Sequence, residues 1–416
     1  MHHKFGIHGM ALVVCATVLA ADQSQSRAQW PQWGGKDRNF AAQCGKLAPV
    51  WSDQGPKKLW ARPLGAGYSS ICVDGGKVYT MYRAGDDEVV VAMDAETGKT
   101  VWEHKYPAPV YEGMDPQFGK GPNATPTIHG DRVYTVGVSG VLSALDKASG
   151  KPVWTQDLRQ SQGVKGPVFG FSSSPLVYKD SLIVTGGGPG HGVMAFDLAK
   201  GELRWAKHDF ENLYSSPIVI NLGGEDQIAL LADTQVVGLS PKDGALLWSH
   251  PHENQWKTNI STPVWGSDNL LYVTSGGEAG SKALKLTKEG DQTKVEQVWA
   301  TRKMAVGQGN TVRSGDFVYG SSGNEGPMFV TAVNVKSGTL VWRERGFARA
   351  MLVHGDGKLI ILDEEGNLGL AEPTPEALKV ISKVQLLKKP AWAAPALVGT
   401  RLYIRDGEQI IALELG

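Results

Sequence analysis

One short pattern recurs along the 416-residue chain and limits its fold more than any other feature. Each copy has a small residue, an apolar residue and then Asp, Asn or Ser; a glycine follows four positions later, and a tryptophan four positions after the glycine. The complete copies are residues 92–102, 144–154, 195–205, 238–248 and 332–342. Looser copies end at Trp60 and Trp299, so successive tryptophans lie 42 to 52 residues apart. A period of this length indicates a repeat architecture.

Each copy has the features of two antiparallel strands joined by a tight turn. Asp or Asn accepts hydrogen bonds from nearby backbone amides, and glycine adopts the positive φ that ends such a turn. The tryptophan then lies on the returning strand, where it fills the space between diverging sheets. Upstream of each copy are a small or polar opening and a further strand pair, as at residues 123–136. The repeat therefore predicts four-stranded propeller blades.

Eight third strands can be counted, around Ala92, Ala144, Ala195, Gly238, Leu284, Ala332, Leu370 and Ala412. The last one, at 410–413, has no fourth strand after it, whereas Trp60 belongs to a fourth strand with no blade before it. The sequence therefore predicts an all-β, eight-bladed propeller over residues 57–416, in which strand 59–61 completes the last blade. Residues 29–56 are expected to form an N-terminal arm laid over the propeller.

The first 28 residues are predicted to be a signal peptide. A weakly basic start precedes an uninterrupted small and apolar stretch at 10–20, which is too short to span a bilayer, and Ala20, Ala21 and Ala28 offer cleavage points. A periplasmic or secreted monomer without a transmembrane segment in its mature chain is the expectation. Export would permit a disulfide between Cys44 and Cys72, with two unpaired thiols as the alternative.

Charge excludes one class of partner. The 42 basic residues balance the 42 acidic residues, which argues against a general surface for nucleic acid. Acidic loops at 86–88, 363–365 and 406–408, with basic residues between 302 and 349, predict a charged rim suited to a protein or peptide partner, unless they are ordinary solvated loops.

The repeat resembles that of the pyrroloquinoline-quinone-like propeller proteins, since residues 92–102 match the tryptophan-docking motif of that group throughout. The opening at 30–35 resembles the start of exported bacterial members. The resemblance implies one of two functions: calcium- and pyrroloquinoline-quinone (PQQ)-dependent alcohol or sugar dehydrogenases, or non-enzymatic propellers that include a lipoprotein of the outer-membrane barrel assembly machine. Adjacent cysteines and a Cys-x-x-Cys-His haem motif, found in many of the enzymes, are absent from the sequence.

The candidate site residues belong to loops at the mouth of the central funnel. Glu112 and Asp115, in the long loop 103–123, are the candidate catalytic bases. The candidates for holding PQQ or Ca²⁺ are Trp392, Asn123, Asn259, Asn310, Arg349, Tyr68 and Tyr214. Trp392 would stack on a flat ligand, and the asparagines would offer oxygen ligands. Polar lining of a water-filled funnel explains the same residues without catalysis.

The remaining motifs give weaker evidence of function. The glycine-rich run 186–192 joins two strands and opens no helix, so it is interpreted as a hairpin rather than a phosphate loop. His250, His252 and Glu253 lack a partner cluster with metal-site spacing, so no transition-metal site is predicted. The sequence thus favours an exported, non-catalytic binding or scaffold propeller; a PQQ- and Ca²⁺-dependent dehydrogenase is the alternative, and a degenerate member that binds a ligand without turnover is a third.

Overall fold

The computed structural model describes His2 and residues 29–323 and 327–416, so the predicted signal peptide, apart from His2, lies outside the described residues. The described chain forms eight four-stranded antiparallel sheets, with one five-residue helix, α1 (Leu158–Gln162), and a 3-10 turn at Gly277–Ala279. The prediction of an all-β, eight-bladed propeller is confirmed. None of the described helices is long and apolar enough to cross a bilayer.

The first four blades follow one another along the chain. Strand β1 is Lys57–Pro63. Blade 1 contains β2 (Cys72–Asp74), β3 (Lys77–Ala84), β4 (Asp87–Asp94) and β5 (Thr100–Pro107). Blade 2 contains β6 (Thr127–His129), β7 (Arg132–Val136), β8 (Val141–Asp146) and β9 (Pro152–Asp157). Blade 3 contains β10 (Leu176–Tyr178), β11 (Ser181–Thr185), β12 (Val193–Asp197) and β13 (Leu203–Lys207). Blade 4 contains β14 (Ile218–Leu222), β15 (Glu225–Leu231), β16 (Gln235–Leu239) and β17 (Leu246–Pro251).

The remaining blades complete the ring. Blade 5 contains β18 (Val264–Trp265), β19 (Leu270–Ser275), β20 (Gly280–Glu289) and β21 (Gln292–Thr301). Blade 6 contains β22 (Thr311–Ser314), β23 (Phe317–Ser322), β24 (Phe329–Asn334) and β25 (Leu340–Glu344). Blade 7 contains β26 (Ala350–Gly355), β27 (Lys358–Asp363), β28 (Asn367–Pro373) and β29 (Leu378–Gln385). Blade 8 contains β30 (Ala396–Val398), β31 (Arg401–Arg405) and β32 (Gln409–Glu414), with β1 as its fourth strand.

The ring closes between the two ends of the chain, as predicted. Strand β1 pairs antiparallel with β32 and sets Trp60 opposite Ala412. The fully buried Arg405 guanidinium reinforces this closure, because it donates hydrogen bonds to the carbonyl oxygens of Gly65 at 2.9 Å and Gly67 at 3.1 Å. The two ends of the chain therefore meet within blade 8, and Arg405 ties this blade to the loop that leads into blade 1.

The small residue of the repeat faces its own tryptophan. Ala92 pairs with Trp102 across β4 and β5, and a bulge follows this pair. At Gly238 a β-carbon would lie 1.9 Å from Nε1 of the Trp248 indole in the next strand, so the ring covers the small position. A small residue is required there because the returning tryptophan folds back over it.

The glycine of the repeat receives the tryptophan of the preceding blade. Gly98 has φ of +69°, and a β-carbon there would lie 2.7 Å from the Trp60 ring. The Trp60 indole N–H also donates to the Ala95 carbonyl oxygen at 2.9 Å. The same indole-to-carbonyl bond to the next blade is made by Trp102, Trp154, Trp299 and Trp342. These contacts seal five of the blade interfaces at the perimeter, whereas the Trp248 indole N–H instead donates to Gln227 Oε1 of its own blade at 2.7 Å.

The N-terminal arm seals the blade that lacks a repeat tryptophan. In β29 of blade 7, Ser382 stands opposite Leu370 immediately before the bulge, which is the position that Trp102 occupies opposite Ala92 in blade 1. The Trp51 backbone N–H donates to Ser382 Oγ at 3.0 Å, and the Trp51 ring is buried in the cluster that holds the cores of blades 7 and 8. The missing contact is thus replaced by a side chain from outside the repeat.

The beginning of the arm occupies the central channel rather than an outer surface. Trp30 forms a β-bridge with Val73 of β2, and the Ile128 N–H of β6 donates to the Pro31 carbonyl oxygen at 2.7 Å. The buried Arg38 guanidinium donates to the Ser174 carbonyl oxygen at 3.0 Å, immediately before β10. Because the first strand of each blade lines the channel, these contacts close the channel with the arm.

Candidate functional site

A cavity of about 770 Å³ opens on the funnel face, where the chain enters the first strand of each blade. Its volume lies within the range of roughly 300 to 1,000 Å³ that accommodates one small-molecule ligand. The residues that shape it most are Trp33, Tyr68, Asp115, Phe118, Asn123, Phe169, Asn212, Tyr214, Trp256, Gln308, Arg349 and Trp392.

Consecutive blades each contribute one aromatic ring to this cavity. Trp392, Tyr68, Phe118, Phe169 and Tyr214 stand in the loops that open blades 8, 1, 2, 3 and 4, and we call them the aromatic wall. The ring centroid of Trp392 lies 4.9 Å from that of Tyr68 and 6.4 Å from that of Phe118. Phe169 continues the wall, with its centroid 5.1 Å from that of Phe118 and 5.9 Å from that of Tyr214. The wall is therefore continuous, with Trp392 joining the rings of blades 1 and 2.

The rim of the cavity exposes large apolar side chains. Phe118 of the wall is 40% exposed, Val168 beside it is 43% exposed, and Trp256 in the loop that opens blade 5 is 49% exposed. Exposed apolar groups gathered at the mouth of a concave site are typical of a surface that a ligand or partner covers.

The openings of blades 6 and 7 supply polar groups instead. The Arg349 guanidinium lies 5.8 Å from the Trp392 ring centroid, and its Nη1 is 3.9 Å from Glu364 Oε2. The Trp392 indole N–H donates to the same Glu364 oxygen at 3.0 Å, and Arg349 donates to Gln308 Oε1. Glu364 therefore partly compensates the cation that borders the cavity.

The two wall tyrosines are neutral hydrogen-bonding groups. Burial raises the pKa of Tyr68, and burial raises the pKa of Tyr214 to about 12 despite the backbone N–H groups that face its oxygen. The Tyr214 hydroxyl donates to Asn212 Oδ1 at 3.2 Å and accepts from the Phe169 N–H at 3.2 Å. Neither phenol serves as a base at neutral pH.

The structure brings six of the nine predicted site residues to the cavity. These six residues line the cavity: Asp115, Tyr68, Asn123, Tyr214, Trp392 and, from blade 7, Arg349. Asp115 is exposed, and its Oδ1 accepts from the Gln117 N–H at 2.9 Å. Glu112 is exposed and is not among the cavity-lining residues, so the two proposed bases do not share one site.

Asn259 and Asn310 lie behind the cavity wall. Both are fully buried. Asn259 Nδ2 donates to the Ala232 carbonyl oxygen at 2.6 Å, and Asn310 exchanges two hydrogen bonds with the Leu352 backbone, at 2.7 and 2.8 Å. Their amides hold neighbouring blades together and do not face a ligand.

The floor of the cavity comes from the N-terminal arm, a feature that sequence reasoning missed. Trp33 lines the cavity, donates its indole N–H to Thr262 Oγ1 at 2.8 Å, and packs edge-on against Phe40 at 5.0 Å. The only sequence signal was the tryptophan-rich opening of the arm, since nothing local indicates that it enters the channel.

The other charged motifs are used internally. Glu365 pairs with Lys389 at 2.6 Å and Asp87 pairs with Lys105 at 2.8 Å, while Glu88, Asp363 and Asp406 are buried. The acidic loops of the predicted charged rim are therefore largely buried or paired with neighbouring side chains.

The two histidines of the motif at 250–253 lie in different surroundings, one in the core and one near the surface. His252 is fully buried, with Nε2 3.1 Å from Ser275 Oγ, and burial lowers its pKa to about 3, whereas His250 bonds the Pro251 carbonyl oxygen near the surface. Across the described residues, His, Cys, Asp and Glu form no group of three suited to a metal ion. Cys44 and Cys72 are both free thiols.

The repeat, the eight blades and the split closure define the class: this is a PQQ-like β-propeller. The family model described as outer membrane protein assembly factor BamB matches residues 86–344, more than half of the chain. The protein belongs to this family.

Curated relatives of known activity are also similar in sequence. Quinohemoprotein alcohol dehydrogenase ADH IIB of Pseudomonas putida is 25% identical over 243 residues, and the quinohemoprotein alcohol dehydrogenase of Comamonas testosteroni is 27% identical over 241 residues. These alignments span 51% and 53% of this chain but only 29% of each relative.

Solved structures support the fold. The Comamonas testosteroni quinohemoprotein alcohol dehydrogenase superposes with a TM-score of 0.66 at 14% identity, covering 96% of this chain and 84% of that one. The computationally designed Ika8 protein superposes with a TM-score of 0.58 at 11% identity, covering 86% of this chain and 99% of that one. At these identities the likeness concerns architecture alone.

Proposed function

We propose that this protein is a non-catalytic binding propeller of the bacterial cell envelope, in which the funnel cavity receives one small ligand or a projecting group of a partner. This proposal rests on the aromatic wall, because five blades contribute rings to one cavity. Phe118 and Trp256 are exposed at the mouth of this cavity. Covering these rings removes apolar surface from water, which favours binding. Residues 1–28, interpreted as a signal peptide, support the location.

The cavity offers little for acid–base catalysis. Asp115 is the carboxylate that lines it within the described chain, and Glu112 stands outside the lining. A base must reach the proton it removes, and the two tyrosines are held in their neutral forms by burial. The surroundings therefore favour recognition over turnover.

A PQQ-dependent dehydrogenase is the second candidate, favoured by the similarity to the quinohemoprotein enzymes. The residues present do not fit the cofactor pair well. Asn259 and Asn310, two of the expected oxygen donors for Ca²⁺, are committed to backbone groups, and a quinone with several carboxylates would meet the Arg349 cation already shared with Glu364. We therefore derive no catalytic step through this cofactor.

The first experiment measures turnover. The protein is incubated with saturating PQQ and Ca²⁺, and dye reduction is followed with primary alcohols and aldoses. We expect no reduction above the protein-free control. Turnover that Glu112→Gln or Asp115→Asn abolishes would establish the dehydrogenase instead.

The second experiment measures binding. A thermal-shift panel of saccharides, aromatic acids, nucleosides, amino acids and tripeptides is applied to the wild type and to Trp392→Ala. A ligand present at 100 times its Kd stabilises the folded state by about 2.7 kcal/mol. We expect at least one compound to raise the Tm of the wild type but not of Trp392→Ala; a panel with no such compound contradicts the proposed function.

A further inference from the structure

Three of the side-chain amides that line the cavity have one of their two polar atoms, the oxygen or the nitrogen, already hydrogen-bonded to the protein. Asn123 Nδ2 donates to Ser172 Oγ at 3.1 Å and to the Phe169 carbonyl oxygen at 3.4 Å. Asn212 Oδ1 accepts from the Val168 N–H at 3.3 Å and from the Tyr214 hydroxyl. Gln308 Oε1 accepts from Arg349. All three residues are half-buried.

The chemistry of these partners fixes which atom of each amide is which. A backbone N–H and a guanidinium can only donate, so they must face the oxygen of Asn212 and of Gln308. A backbone carbonyl can only accept, so it must face the nitrogen of Asn123. The orientation of each amide is therefore determined by the protein before a ligand arrives.

The other half of each amide remains for a ligand. Asn123 Oδ1 is an acceptor, and Asn212 Nδ2 and Gln308 Nε2 are donors; within the described ranges none of these atoms bonds another protein group. Held in place by their bonded halves, they lose little side-chain entropy on binding. The cavity thus presents one fixed acceptor and two fixed donors around an aromatic wall.

The charge of the lining narrows the ligand class further. Among the residues that the structure describes, Asp115 and Arg349 are the charged side chains that line the cavity, and Glu364 accompanies Arg349. A multiply charged ligand would find no matching set of counter-charges and would lose hydration on entry. Aliphatic contacts are few, with Val168, Ile260 and Met351 in the lining, which disfavours a hydrophobic peptide.

Resting on the proposed binding function, we propose that the ligand is a neutral carbohydrate of one to a few pyranose rings, bound without chemical change. Hydroxyl groups donate and accept, so they satisfy both kinds of amide half, and the C–H faces of a pyranose pack on aromatic rings. The aromatic wall runs across five blade openings, so a short chain of sugar units can follow it.

Calorimetric titration tests the ligand class. The probes are glucose, maltotriose, cellotriose and the trimer of N-acetylglucosamine, with glucuronate and the tripeptide Ala-Phe-Ala as comparisons. We expect at least one neutral saccharide to bind the wild type at least tenfold more tightly than either comparison compound. Binding of Ala-Phe-Ala but of no saccharide, with binding lost in Trp392→Ala, overturns the carbohydrate assignment and leaves the binding function intact.

Two isosteric variants test the amide halves. Asn212→Asp and Gln308→Glu keep the oxygen that the protein bonds but replace the free nitrogen with oxygen. We expect each variant to weaken saccharide binding by roughly tenfold or more, since a donor is lost at a buried contact. Gln162→Glu, at a half-buried position of helix α1 outside the cavity lining, is the matched control and should bind normally.

The outcomes separate the two proposals. Saccharide binding unchanged in both Asn212→Asp and Gln308→Glu contradicts the role of these amides. Oxidation of a bound saccharide in the presence of PQQ and Ca²⁺ contradicts the non-catalytic function, whatever the ligand class. Failure of every probe and every panel compound contradicts the binding function itself.

Discussion

The perimeter of the ring and the wall of the funnel both use aromatic side chains, but in opposite ways. At the perimeter Trp102 is 8% exposed, its ring covers the Gly150 position of the next blade, and its indole N–H bonds the Lys147 carbonyl oxygen at 3.0 Å. At the funnel Trp256 is 49% exposed and lines an open cavity. Perimeter rings are already satisfied by protein, whereas funnel rings still expose surface that a ligand can cover.

This difference indicates that the repeated residues of the chain stabilise the fold, whereas the residues suited to ligand recognition lie in the irregular loops. The perimeter contact depends on a glycine and a tryptophan at fixed spacing, and it recurs with the blades. The funnel takes a different set of side chains from each blade opening, such as Phe118 and Asn123 from that of blade 2 and Arg349 from that of blade 7. Substitutions in the two regions should therefore affect different properties.

The largest effect is expected at the perimeter. Trp102→Ala removes a packed indole between blades 1 and 2 and leaves a cavity, which costs about 3 to 5 kcal/mol of the free energy of unfolding. Trp256→Ala, the matched funnel variant, should change it by less than about 0.5 kcal/mol. Chemical denaturation of both variants checks this contrast, and equal losses would contradict it.

The funnel end of the same blade interface should respond to pH. Glu88 is fully buried; it accepts from the Tyr106 hydroxyl at 2.8 Å and the Val138 N–H at 3.1 Å, and Arg83 supplies nearby positive charge. Burial outweighs these groups and raises its pKa to about 7, above the unfolded value of roughly 4.3.

The sign of the pH effect follows from this raised pKa. Between the two pKa values the folded state binds more protons than the unfolded state, so the contribution of Glu88 to stability is greatest below about pH 4 and is lost as pH rises through about 7, by roughly 4 kcal/mol in total. Glu88→Gln should flatten this contribution across pH 5 to 8. Denaturation of the wild type and the variant at matched pH values tests it, and identical pH profiles would exclude a titrating Glu88.

A smaller effect is expected at the cavity floor. Trp33→Ala removes the ring that closes the cavity from below but leaves Arg38 anchored to blade 3. We expect funnel ligands to bind about tenfold more weakly, which corresponds to about 1.4 kcal/mol. Calorimetry with a ligand from the binding panel measures the change; affinity equal to that of the wild type would mean that ligands do not reach the floor.

The smallest effect is expected at the paired rim charges. Lys389→Ala breaks the exposed pair with Glu365, which should cost between 0 and about 1 kcal/mol and leave ligand affinity unchanged. A large loss of affinity would show that the rim, rather than the cavity, contacts the ligand. Ligand titration at two salt concentrations provides the measurement.

The sequence predicted the ring well, because most contacts of the repeat join residues at a fixed and short spacing along the chain. The turn at 94–98 follows from spacing within one blade, whereas the pairing of Trp60 with β32 follows from counting strands, since the last blade lacks a fourth strand and Trp60 belongs to a strand with no blade before it. The disposition of the loops was harder to predict. Asn259 and Asn123 look alike in sequence, yet one is enclosed by backbone carbonyls and the other faces the cavity.

Contacts between distant loops decide this difference. Trp33 reaches the cavity because the arm enters the channel, and Asn212 acquires its orientation from Val168 and Tyr214, which open different blades. No periodic signal records such contacts. The aromatic wall forms only where the five blade openings come together in the folded ring.

The most direct test of the division between perimeter and funnel is differential scanning calorimetry of Trp392→Ala, with and without a compound that stabilises the wild type. We expect a ligand-free Tm much closer to that of the wild type than to that of Trp102→Ala, and no rise in Tm when the compound is added. A ligand-free Tm as low as that of Trp102→Ala, or a rise equal to that of the wild type, would contradict it.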